Sequence, residues 1–122
     1  MDFNEYQKQA KATDKYPDSV NKMEDYDKSN YNELLRMLYT LGLVGEAGEV
    51  ADKMKKIFRD KGGNFSQEDA LGVVTELSDC LWYIAMISKE FGYTLEQIAE
   101  INIEKLKIRV ANNKIHGSGD NR

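Results

Sequence analysis

Between Ala70 and Ser88 the chain reads ALGVVTELSDCLWYIAMIS, and its only charges are Glu76 and Asp79. Nineteen residues of that composition can hide as a core helix or core strand, and little else. Apolar residues recur at helical spacing rather than in alternation, so the run is read as a helix. On a helix the two acids project from one face, about 60° apart. Burying an unpaired carboxylate costs several kcal/mol or shifts its pKa, so such a pair calls for cations or a metal.

A second pair, Glu46 and Glu49, sits in GLVGEAGEVADKMKK. The chain therefore carries Glu-x-x-Glu, a gap of 26 residues, then Glu-x-x-Asp. Four carboxylates on two adjacent helices can line a pocket suited to Mg²⁺ or Mn²⁺, which prefer hard oxygen ligands. One cysteine and one histidine leave no zinc set. No Glu-x-x-His pair of the di-iron bundles occurs. Spacing alone leaves a bland alternative open. The chain has 21 acids, and Asp2/Glu5 and Glu24/Asp27 share the spacing. Lys53 and Lys56 could simply pair with Glu49 and Asp52 at i,i+4. The apolar neighbours of Glu76 and Asp79 favour the metal site.

Start and stop signals divide the chain into helices. Asn4 and Gln7 are spaced like a capping box for a first helix over 4–13. Residues 15–29, with the lone Pro17, read as a connection. A long helix is expected from about Asn30 to Asp60, ended by glycines 62 and 63. Ser66 with Asp69 and Thr94 with Gln97 open two more, the first ending at Gly92 and the second near Asn112. On the later acid-bearing helix, Val74, Leu77, Leu81, Ile84 and Ala85 form an expected core stripe. Glu76 and Asp79 lie opposite, with Gly72, Cys80, Tyr83 and Ile87. A helix apolar on both sides must sit at a bundle centre or against a second subunit. The expected fold is all-α: one domain over 1–122, a four-to-five-helix bundle completed by homo-oligomerisation as a dimer or tetramer.

Composition narrows the partners. A net charge of −4 offers no footprint for a nucleic-acid polymer. The N-terminus lacks an apolar signal core, and no uninterrupted apolar run reaches the roughly 20 residues that span a bilayer. A cytoplasmic location is the resulting expectation, with no membrane partner. Cys80 reads as a structural thiol with no neighbour to activate it. Trp82 and Tyr83 could stack on a base, or serve as core.

The segments GLVGEAGEVADKMKK, ELSDCLWYIA and NIEKLKIR resemble the MazG-like nucleoside triphosphate pyrophosphohydrolases, over a motif core of 41–109. The resemblance implies an all-α fold, a Mg²⁺-dependent reaction (Mn²⁺ as substitute) and an oligomeric active site. The expected activity turns a nucleoside triphosphate and water into a monophosphate and pyrophosphate, removing non-standard or excess nucleotides. By position, Glu46, Glu49, Glu76 and Asp79 would hold the metal, with Glu49 as proton acceptor. Asn102 and Lys105 match the family's Asn-x-x-Lys-Leu, and Arg109 extends it. Together with Lys53, Lys56 and Trp82 they are the expected substrate contacts. A narrower dUTP, dCTP or phosphoribosyl-ATP pyrophosphohydrolase is the alternative within related folds. A non-catalytic helical oligomerisation module is the alternative of another class. The glycine-rich tail, 113–122, is expected to be flexible and to close over the nucleotide.

Overall fold

A computed structural model describes residues 1–25 and 27–119. Its elements are α1 (Phe3–Ala12), α2 (Tyr16–Asn21), a 3₁₀ turn at Lys28–Asn30, α3 (Tyr31–Lys61), α4 (Gln67–Glu90) and α5 (Leu95–Ala111). There is no strand among the described residues. The long pair α3 and α4 is the main packing interface, with α2 against α3, and α1 and α5 against each other and α4. The two later start signals behave as expected. Ser66 Oγ accepts from the Asp69 amide while Asp69 returns a bond to the Ser66 amide, and Thr94 and Gln97 repeat the arrangement. Gly62 closes α3 at φ 59°, a left-handed position that suits glycine.

Three local expectations need correction. The first helix is capped by Asp2, whose side chain accepts from the Glu5 amide, and not by Asn4. Gln7 is used across the fold instead. Its Nε2 donates to the Ala85 carbonyl and Ser88 Oγ, both at 3.0 Å, and its Oε1 accepts from the Leu95 amide at 3.0 Å. That one amide ties α1 to the end of α4 and the start of α5. The connection 15–29 contains α2, with Pro17 in its first turn, where a missing N–H leaves no bond unmade. Val20 anchors α2 in the core.

The third correction concerns α4. Val74 and Leu77, expected in the core stripe, are 56% and 50% exposed, whereas Cys80, Ala85, Met86 and Ser88 are buried. The core gathers toward the second half of α4, around Tyr39, Ala85 and Met86 with Leu34, Leu35, Val20, Ala10 and Leu95. The carboxylate side of α4 faces α3, which is why its partly apolar character is satisfied within one chain. Leu71, Val74 and Leu77 on α4, like Leu41 and Val44 on α3, remain exposed.

Helix α4 has 24 residues and a mean hydropathy of 1.4 over its most apolar window, which meets the length and composition of a bilayer span. The expectation that nothing in the chain does so therefore holds only for uninterrupted apolar runs. The mid-helix Glu76 and Asp79, and the packing of α4 along α3, are the features of a helix facing protein.

Candidate metal centre

Glu46 on α3 meets Glu76 and Asp79 on α4, and one carboxylate oxygen from each lies within 4.8 Å of the others. The helices approach closely here because Gly42, one turn before Glu46, has no side chain. A Cβ at that position would lie 2.1 Å from Tyr83 Cε1. The Tyr83 ring fills the place a side chain would take, and Glu46 is carried to the edge of that contact. Gly45 faces open space, so its smallness is not needed for helix packing.

Glu46 and Glu76 are partly buried and Asp79 is exposed. Lys53 Nζ reaches Glu76 Oε1 at 3.1 Å, and among the described residues it is the one cation ion-paired to the three carboxylates. The imbalance is visible in neighbouring groups. Burial, then the charges of Asp79, Glu76 and Glu49, raise the Glu46 carboxyl above its ordinary range. Burial, then the charges of Glu46, Asp79 and Glu76, push up the Cys80 thiol, which is unactivated as expected. Tyr6 and Tyr83 also feel Asp79, behind burial for Tyr6 and behind the Tyr16 hydrogen bond for Tyr83. The acids thus act together on groups from three helices, and such a concentration of negative charge is a setting that attracts a cation.

The donor set fits a hard divalent ion. Mg²⁺ binds oxygens at about 2.0–2.1 Å. Glu46, Glu76 and Asp79, within 4.8 Å of one another, would come into common reach of such an ion by side-chain adjustment. The three come from two rigid helices, which favours a defined site over a loose acidic surface.

The remaining expected residues are placed unevenly. Glu49 is exposed one turn further along α3 and outside the close trio, though its charge acts on Glu46. Lys53 serves Glu76 across the helix pair. Lys56 pairs with Asp52 at 2.5 Å, the i,i+4 contact that the bland reading foresaw. Both lysines line a cleft of about 450 Å³ with Lys61, Asp69 and Gly72, next to Glu76. Asn102 is exposed and Lys105 partly buried on α5, whose backbone packs on α1 and α4 and not on α3. Arg109 is 6% exposed, and its guanidinium donates to the Gly119 carbonyl at 3.3 Å. So the tail is tied back to α5 at Gly119, is exposed and without regular structure over 113–119, and its last three residues lie outside the described ones.

Trp82 is brought to the site. With Tyr83, Tyr16, Thr13, Glu46 and Asp79 it lines a pocket of about 410 Å³ beside the carboxylates. Thr13 and Tyr16 were missed by the sequence reading. Thr13 falls at the expected end of the first helix and Tyr16 in the expected polar connection, and no spacing signal marks either.

A family model for the MazG nucleotide pyrophosphohydrolase domain matches residues 36–113. The chain is also 46% identical over 83 residues to the "Gene 37 protein" of Mycobacterium phage L5, covering 68% of this chain and 73% of that protein. No solved structure matches. With the family's domain spanning more than half of the chain and carrying both acid pairs, the protein belongs to the MazG nucleotide pyrophosphohydrolase family.

Proposed function

We propose that this chain is a Mg²⁺-dependent nucleoside triphosphate pyrophosphohydrolase, releasing pyrophosphate and leaving a nucleoside monophosphate. The observation that carries the reading is the convergence of Glu46, Glu76 and Asp79 within 4.8 Å, with one lysine to offset three charges. A purely structural acid cluster would be matched by its cations. An excess of two negative charges on rigid helices is a site that gains from a divalent ion.

Glu46, Glu76 and Asp79 hold the metal, with Glu49 beside them as a further ligand. When bound, the ion offsets the repulsion between an acidic pocket and a triphosphate and makes a water more acidic. Glu49 accepts the proton of the attacking water, its exposure giving it access to solvent. Lys53 and Lys56, on the cleft beside Glu76, offset charge on the departing pyrophosphate. Trp82 contacts the nucleoside end. Mn²⁺ substitutes for Mg²⁺ because both accept carboxylate oxygens.

Homo-oligomerisation is part of the same proposal. Leu71, Val74 and Leu77 on α4 and Leu41 and Val44 on α3 are large apolar groups left in water. Asn102 and Lys105 stand on α5, which packs on α1 and α4 and not on α3, the helix that carries Glu46. A second copy of the chain packed on this face would cover those apolar groups.

The test is a panel of ribo- and deoxynucleoside triphosphates assayed with Mg²⁺, with pyrophosphate distinguished from phosphate. Pyrophosphate release that stops with chelator, and in Glu76→Gln, is the expected result. A folded Glu76→Gln protein with full activity would refute the metal assignment. Phosphate as the sole product would refute the reaction.

A further inference from the structure

The pocket beside the carboxylates has a wall that the family's domain does not supply. Residues 36–113 provide Glu46, Asp79, Trp82 and Tyr83. Thr13 and Tyr16 come from the end of α1 and the start of α2, outside that span. We propose that this N-terminal segment reads the non-phosphate end of the substrate, with Tyr16 as a specificity-determining residue and Thr13 and Asp14 as positioning residues. The inference rests on the pyrophosphohydrolase reading above.

The segment is held with the rigidity that such a role needs. Asp14, whose side chain is 3% exposed, accepts from Tyr39 Oη at 2.6 Å and from the Tyr16 amide at 3.1 Å. Tyr39 itself is fully buried on α3. Lys89 adds a cation 3.7 Å from the same carboxylate. The Thr13 hydroxyl donates to the Ala10 carbonyl at 2.7 Å and accepts from Trp82 Nε1 at 2.9 Å. Thr13 thus fixes the indole by its edge, leaving ring face and not N–H for a ligand. Trp82 stands edge-on to Tyr83 at 5.0 Å and tilted to Tyr16 at 6.4 Å. The result is an aromatic enclosure whose members cannot easily turn away.

Its polar feature is the pair of phenols. Tyr16 Oη and Tyr83 Oη lie 2.9 Å apart, so one proton serves the contact. The other phenol proton has no partner among the described residues, and with Tyr83 donating to Tyr16 it is the Tyr16 proton that is left for a ligand. The pocket therefore offers flat apolar surface and one O–H donor, next to carboxylates that take a metal and its phosphates. The matching ligand is a planar heterocycle with a hydrogen-bond acceptor on the edge turned toward the phenols, joined to a polyphosphate. A site that donates to a substrate acceptor discriminates more sharply than apolar contact alone.

The chain has one tryptophan, Trp82, so its emission reports this pocket directly. In chelator, where no hydrolysis competes, nucleosides and nucleoside monophosphates should quench the emission saturably, whereas ribose 5-phosphate and pyrophosphate should not. Tyr16→Phe should weaken the preferred ligand about tenfold and flatten the ranking across bases. With Mg²⁺ and triphosphates, the same variant should raise KM for the preferred substrate while kcat stays near wild type. Thr13→Val, which frees the indole edge without touching the phenols, should change the quenching amplitude and the ranking as well. Should Tyr16→Phe unfold, Thr13→Val carries the test alone. Wild-type selectivity in a folded variant, or quenching by pyrophosphate as strong as by nucleosides, overturns the inference and leaves the pyrophosphohydrolase reading standing. Absence of pyrophosphate release from every triphosphate overturns that reading instead, and base-selective quenching then still decides the pocket.

Discussion

Replacing Glu46 with Gln should make the metal-free protein more stable and the metal-dependent enzyme inactive. Two like charges 4.8 Å apart, the upper separation in the trio, repel by about 0.9 kcal/mol in water and about 3.5 kcal/mol at an effective dielectric of 20. Asp79 is exposed and Lys53 already offsets Glu76, so the lower end applies. Glu46 titrates above its ordinary range through burial and then its acidic neighbours. A raised acid costs stability when ionised, so the penalty is present at neutral pH and fades as pH falls through the folded-state pKa. Glutamine keeps the shape and nearly the helix propensity while removing the charge. A gain of about 1 kcal/mol in a chain of this size raises Tm by about 3–5 °C. On the proposed function the same change also removes a metal ligand. For the wild type, Mg²⁺ at ten times its Kd should add about 1.4 kcal/mol, and the variant should lose most of that gain. Scanning calorimetry in chelator and again in Mg²⁺ reads both quantities. High salt should shrink the first difference, because the repulsion is partly solvent-screened. A lower Tm for Glu46→Gln in chelator, or an unchanged Mg²⁺ response, would refute the reasoning.

Gly42→Ala should destabilise the protein, although alanine is the better helix former by about 1 kcal/mol. The new Cβ meets the Tyr83 ring at 2.1 Å, and overpacking of that kind costs about 1–3 kcal/mol, read by urea denaturation. A stabilised variant would show that the ring moves freely. Asp69 is held down to about 2 by the Lys61 ammonium, then by its bonds to Ser66. Its folded-state pKa lies below the ordinary 3.8, so its stabilising contribution is present above about pH 4 and is lost as pH falls toward 2. Asp69→Asn should therefore flatten the acid limb of the stability curve between those values, and an unchanged slope would count against the Lys61 contact.

The elements that the sequence made legible were those with local causes. Ser66 with Asp69 and Thr94 with Gln97 cap their helices because a capping box needs only four residues. The acid pairs were legible because carboxylates in apolar surroundings are energetically conspicuous. What failed were features decided by distant partners. Gln7 matches a cap spacing, yet its amide spans three helices because the Leu95 amide and the Ala85 carbonyl lie within its reach. Asn4 is likewise drawn off to Glu96. Val74 and Leu77 fit a core stripe on the wheel, but α3 approaches α4 on the carboxylate side, where Gly42 and Tyr83 interlock. Lys53 sits at the spacing for Glu49 but reaches Glu76, because the neighbouring helix brings that acid within 3.1 Å. Thr13 and Tyr16 gave no signal, since their role depends on a fold that returns the N-terminal segment to the middle of α4.

That return makes two parts of the pocket separable in sequence while adjacent in space. The acids lie on α3 and α4, whose geometry is fixed by the Gly42–Tyr83 contact and by long helices in register. The aromatic wall is shared. Trp82 and Tyr83 belong to α4, but their edges are held by Thr13 and Tyr16 through one hydrogen bond each. Changing residues 13–16 can therefore alter what the pocket accepts without moving a carboxylate, because Asp14 fastens the segment to Tyr39 and Lys89 rather than to the acidic trio. The converse does not hold. Moving Tyr83, as a side chain at Gly42 would, disturbs the phenol pair and the edge of Glu46 together. Tyr83 touches both halves of the pocket, so on the proposed function Gly42→Ala should impair selectivity and turnover in one step, whereas Tyr16→Phe should impair selectivity alone.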